Sequence, residues 1–163
     1  MVHDVKTQGL SKSVLMVACT AILIGCAAEP PKKTSLEIQA IQTRELETDK
    51  TTAFNSTISV FQDLGYIIDT AHIETGVITV ASPTEAGYCW FSGSTQTHTR
   101  ATAFVEERRP GFTHIRLNFV EVLKASDGYG RQSGRDNVIH DPKVYENAFT
   151  KIQEAIFIRS AVE

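Results

Sequence analysis

Two stretches in the middle of the chain alternate in hydropathy and face one another across a loop. Ala101, Ala103 and Val105 recur at every second residue, and so do Ile115, Leu117 and Phe119. Period two is the repeat of a β-strand with one buried face. Pairing 101 with 119, 103 with 117 and 105 with 115 puts all six on one side and leaves Arg109, Pro110 and Gly111 as a three-residue loop. Gly111 then falls where such a loop needs a left-handed residue, so turn chemistry and core pattern select the same register. The other face pairs Glu106 with His114, Phe104 with Arg116 and Thr102 with Asn118, a solvated surface with compensating charges. A slip of one residue would bury that polar face instead.

The flanking segments supply the remaining elements. Leu36, Ile38 and Ala40 alternate with Glu37, Gln39 and Ile41, which predicts a first strand ending near Arg44. Asp49 caps a helix that carries Phe54, Ile58, Phe61 and Leu64 along one face and closes at Gly65. Tyr66–Ala71 and Gly76–Ser82 read as two short strands joined through Ile73-Glu74-Thr75-Gly76. Near the end, Asp141 is an N-cap and Pro142 a first helical residue. Tyr145, Ala148, Phe149, Ile152, Ala155 and Ile156 then form one apolar stripe, with Lys151 and Arg159 suited to the later turns. Strand, helix, hairpin, hairpin, helix is the order of an α+β two-layer domain. The expectation is an antiparallel sheet of about four to five strands with two helices on one face.

The N-terminus carries an address. Lys6 and Lys12 form a basic leader, and Val14 to Ile24 is a run of eleven uncharged residues, signal-peptide length and short of the roughly 17–25 needed to span a bilayer. It ends in Leu23-Ile24-Gly25-Cys26, which resembles the bacterial lipobox. The resemblance implies cleavage between Gly25 and Cys26 and acylation of Cys26, palmitate among the chains. Several acyl chains at about 0.8 kcal/mol per CH₂ make a stable membrane anchor. Ala27 stands where an Asp would retain an enterobacterial lipoprotein in the inner membrane, so the implied destination is the outer membrane, facing the periplasm. Residues 1–25 thus read as the signal peptide, 26–34 as a tether containing Pro30 and Pro31, and 35–163 as a single domain.

Composition narrows the function classes. With 42% hydrophobic and 21% charged residues the chain is neither fibrous nor wholly disordered. Its formal charge of −3 offers nucleic acid no basic field, and loss of the leader with Lys6, Lys12 and Asp4 moves it to −4. Cys19 leaves with the leader and Cys26 takes lipid, so Cys89 is a lone thiol and no internal disulfide is expected.

Catalytic and metal chemistry find little footing. His72, His98, His114 and His140 show no HxxxH or CxxC spacing, so neither metal nor cofactor is expected. In the hairpin register His98 and His114 lie eight residues apart along the strands, roughly 27 Å at 3.4 Å per residue. Cys89 beside His98 lacks a recognisable orienting acid or oxyanion loop, and reads as packed rather than nucleophilic. Glu106 opposite His114 reads as a surface pair. Gly128-Tyr129-Gly130-Arg131-Gln132-Ser133-Gly134 tempts a phosphate-loop reading, but the next helix starts only at Asp141, which favours a flexible strand-to-helix loop. The aromatic segment Tyr88, Trp90 and Phe91, flanked by Gly87 and Gly93, is the candidate partner contact, with a strand or a lid on the core as the alternative.

Thr43-Arg44-Glu45-Leu46, Phe61-Gln62-Asp63-Leu64-Gly65-Tyr66, Thr75-Gly76-Val77-Ile78-Thr79 and Asp141-Pro142-Lys143-Val144-Tyr145 resemble, in this order, segments of a group of uncharacterised Gram-negative outer-membrane lipoproteins. Element order and anchoring also resemble the helix-grip domains of BamC, a lipoprotein of β-barrel assembly. These resemblances imply a non-catalytic accessory or scaffold lipoprotein of an envelope assembly or transport system, held to the membrane by acyl chains and bound to an envelope protein. The alternative is a binding protein for a lipid or other apolar ligand in the helix–sheet cleft.

Overall fold

The computed structural model describes residues 33–161 apart from 90–92, 128 and 130. Thr34 opens the first described element as the N-cap of a helix, α1 (Ser35–Gln42), with a full capping box: its hydroxyl accepts from the Glu37 N–H while the Glu37 carboxylate accepts from the Thr34 N–H. This corrects the expected first strand. Thr34 and Glu37 have capping-box spacing, and the reciprocal bonds favour a helical turn over a six-residue alternation. The strand β1 starts only at Thr43 and runs to Glu47, with Leu46 in the core.

Asp49 caps α2 (Lys50–Asp63), its carboxylate accepting from the Thr52 N–H at 3.0 Å. Phe54 and Phe61 are buried, and Ile58 and Leu64 pack against the core partly exposed. Gly65 takes a left-handed φ of 83° just past the helix end, as expected. The hairpin of β2 (Ile67–His72) and β3 (Val77–Ala81) follows, then β4 (Glu85–Cys89), β5 (Gly93–Arg109), β6 (Phe112–Ser126) and β7 (Gln132–Val138). The chain closes with α3 (Pro142–Ser160), capped by Asp141 with Pro142 in its first turn. Tyr145, Ala148, Phe149, Ile152 and Ile156 are its buried stripe, and Ala155 sits at the margin.

The architecture is α+β, but among the described residues the antiparallel sheet has seven strands rather than four or five, and a third helix precedes it. The strand order is β1-β6-β5-β3-β2, with β4 also paired to β5 and β7 to β6. The central register is 101 with 119, 103 with 117 and 105 with 115, as the alternation requires. The connection is tighter than three residues: Arg109 pairs with Phe112, a bulge falls between Glu107 and Arg109, and Gly111 has φ 77°. A bulge next to a short turn absorbs one residue without changing which side chains face inward.

Strands β5 and β6 are long enough to serve two regions. At one end β3 flanks β5 over 100–104 and β1 flanks β6 over 112–116. Here Ala101, Ala103, Val105, Ile115, Leu117 and Phe119 meet Phe61 and Val60 of α2 and Tyr145, Phe149 and Ile152 of α3 in one core. At the other end β4 flanks 93–97 and β7 flanks 120–126, giving a four-stranded ribbon in the order β4-β5-β6-β7. Among its described residues only Val122 is buried, so the helical layer stops short of it. Both β4 and the start of β5 fall in a stretch expected to lie between strands, and β7 takes up Gln132–Gly134 of the expected glycine loop and runs on to Val138.

A break in the outer edge of β6 lies between its β1 and β7 partners. There the Phe119 carbonyl accepts from the Ile139 N–H at 2.9 Å. The buried Tyr145 hydroxyl donates to the Ile139 carbonyl at 2.7 Å and accepts from the Phe119 N–H at 3.4 Å. Gln42 of α1 reaches the same hydroxyl. One phenol thus fills the gap in the ladder.

Candidate functional site

Strand parity decides what the ribbon presents. No register shift interrupts β5 between 94 and 107, so the even residues of β5 and β6 form the face opposite α2 and α3. Two neighbouring rows across the ribbon are Tyr88–Ser94–Ser126–Gln132 and Ala86–Gln96–Lys124–Gly134. Ser94, Gln96, Lys124, Ser126, Gln132 and Gly134, with Ala125 and Ser133, line a half-open cavity of about 420 Å³. The lining is hydroxyls, two carboxamides and one ammonium. Gly134 keeps the floor beside Lys124 free of a side chain. Among the described residues the Lys124 ammonium has neither an ion pair nor a hydrogen-bond partner. The nearest acid on this face of β7, Asp136, stands one row away opposite Val122.

The turn between β6 and β7 is built by Asp127. Its carboxylate accepts from the N–H of Tyr129 at 3.0 Å and of Arg131 at 2.8 Å, and its own N–H donates to the Arg131 carbonyl at 3.0 Å. The Tyr129 and Arg131 amides are therefore already engaged by a carboxylate, and a strand rather than a helix follows, so the described residues of this turn do not form a phosphate cradle at a helix start. The same turn holds Tyr129 97% exposed, between cavity residues Ser126 and Gln132. Tyr88, at the end of the first row, is 79% exposed. Nothing in hydrophobic periodicity marks this site: Thr95, Thr97 and Thr99 alternate with Gln96, His98 and Arg100, polar against polar. Only the threonine content hinted at a strand.

Of the residues singled out from sequence, Gly25, Cys26, Trp90 and Phe91 lie outside the described residues. Tyr88 sits on β4, and Cys89 ends that strand. His98 stands on β5 opposite Val122, eight residues from Glu106 on the same strand. His114 lies in a row Glu45–His114–Glu106 that crosses three strands. Its carboxylate neighbours are committed elsewhere, Glu45 to Arg109 at 2.7 Å and Glu106 to Arg108 at 3.3 Å. Partial burial holds the His114 imidazole below its ordinary pKa, helped by the Arg108 and Arg116 charges and opposed by the two carboxylates. Among the described residues no group of three His, Cys, Asp or Glu is arranged to hold a metal, and no helix is long and apolar enough to cross a membrane.

The sequence matches no family model and no curated protein. Among solved structures it is similar to a DUF4468 family protein from Bacteroides ovatus, at 9% identity and a TM-score of 0.38, over 70% of this chain and 84% of that one. A likeness at that level carries no functional argument.

Proposed function

We propose that this protein is a lipid-anchored accessory module of the cell envelope, held in the outer membrane through Cys26 and facing the periplasm. It is non-catalytic, and its helix-grip-like layer of helices serves as a scaffold that holds out the four-stranded ribbon. The observation that carries this reading is the division of the sheet. One end is closed by a filled apolar core, and the other is a polar ribbon with Tyr88 exposed at its margin. Trp90 and Phe91 follow directly in sequence, which makes the β4–β5 connection the place to seek an envelope protein partner. The apolar-ligand alternative draws no support from the helix–sheet interior, where Phe61, Phe119, Phe149 and Ile152 are packed together with at most 2% exposure. The test is fractionation of cells expressing the full chain, followed by cross-linking and affinity capture. Cys26→Ser should leave the membrane fraction, and Trp90→Ala should stay anchored but lose the captured protein. Retention of Cys26→Ser in the outer membrane at wild-type amounts would overturn the anchoring.

A further inference from the structure

We propose that the cavity on the face of the ribbon opposite α2 and α3 is a binding site for a saccharide that carries a carboxylate. The cavity's volume of about 420 Å³ lies within the range of roughly 300–1,000 Å³ typical of small-ligand sites. Its lining lacks the apolar majority that lipids or drug-like ligands require. Ser94 and Ser126 offer hydroxyls that both donate and accept, and Gln96 and Gln132 offer carboxamides that do the same. A ring bearing several hydroxyls needs that bidirectional set. Tyr88 is paired with Ser94 and Tyr129 lies in the turn between Ser126 and Gln132, both exposed, and a tyrosine ring offers a flat apolar face for the C–H side of a sugar while its hydroxyl remains wet.

The charge is assigned by Lys124. Its ammonium has no ion partner among the described residues, its cross-strand neighbour on β7 is Gly134, and its neighbour on β5 is the neutral Gln96. A carboxylate on the ligand would supply the missing counter-ion as a charge-assisted hydrogen bond. The inference does not depend on the lipid anchor or on the protein partner.

The test uses the full chain purified in detergent, titrated by calorimetry and by amide chemical shifts. The probes are N-acetylmuramic acid, N-acetylglucosamine, which lacks the lactyl carboxylate, and inorganic phosphate. N-acetylmuramic acid should bind more tightly than N-acetylglucosamine, with shifts centred on 94–96, 124–126 and 132–134. Lys124→Gln should weaken the acid sugar by about tenfold, to the level of the neutral one, as loss of one charge-assisted bond implies. Gln132→Ala should weaken both sugars. Both side chains lie outside the core, so an unchanged melting curve shows that the variants fold. Co-sedimentation with murein sacculi separates a polymer from a free sugar as the source: pelleting with weak free-sugar binding, or the reverse, supports the site, and failure of both overturns it. Phosphate binding as tightly as the acid sugar would overturn it in favour of a simple anion site. So would sugar binding that neither variant alters.

Discussion

Replacing Tyr145 with Phe tests whether one phenol holds the junction between β6, β7 and α3. The ring itself is core, with 1% exposure and an edge-on contact to Phe119 at 5.2 Å between centroids, and Phe preserves that packing. What disappears is a 2.7 Å donation to the Ile139 carbonyl and the acceptor of the Phe119 N–H, the latter buried. A net hydrogen bond contributes about 1 kcal/mol, and a buried donor left unpaired costs about 1–3 kcal/mol. Only the first contact is short, and the two at 3.4 Å are weak, so the expected loss is about 2 kcal/mol. For a domain of this size that lowers Tm by roughly 8 °C. Urea unfolding should show a lower midpoint with an unchanged m-value. Hydrogen exchange should speed up at the Phe119 amide more than at amides of α2. A loss under about 0.5 kcal/mol with the Phe119 amide still protected would refute the reasoning, because an exposed substitution costs no more than that.

Other perturbations read different parts of the same molecule. At Gly76 (φ 73°) an added Cβ would stand 2.0 Å from the Val105 carbonyl oxygen, whereas at Gly111 (φ 77°) it meets open space. Gly111→Ala should therefore cost only the left-handed penalty of about 1–2 kcal/mol, and Gly76→Ala should cost clearly more or prevent folding, as equilibrium denaturation of the pair would show. Asp49→Ala should remove about 1 kcal/mol of helix capping. Backbone and side-chain bonds from Thr52 hold the Asp49 carboxylate below its usual pKa, so this contribution is present above the ordinary carboxylate range and fades as pH falls through the native value. The Asp49→Ala and wild-type stabilities should accordingly converge in acid. Ser56→Ala should leave stability unchanged or raise it by up to about 1 kcal/mol, since the buried Ser56 hydroxyl has no partner among the described residues and alanine is the better helix former. Calorimetry showing a loss would mean that the hydroxyl is satisfied after all.

Sequence alone determined the elements whose signals are local and periodic. The 101–105 and 115–119 alternation specified a register that the structure repeats pair for pair. Asp49 and Asp141 marked helix starts, and a 3.6-residue stripe named the buried face of the last helix. Even α1 had a local signal in Thr34 and Glu37, masked by an alternation of similar length. What only the tertiary structure decided is the ribbon and everything on it. Residues 93–99 carry no apolar repeat, and β7 is exposed along its whole length, so neither is held by a face turned to the core. Both become strands because a long hairpin offers them paired edges, with ladder hydrogen bonds rather than buried area securing them. The cavity beside Lys124 and the bonds of the Tyr145 hydroxyl join residues far apart in the chain. Periodicity reports which side of a segment is apolar; it does not report which distant segment will lie alongside a polar one.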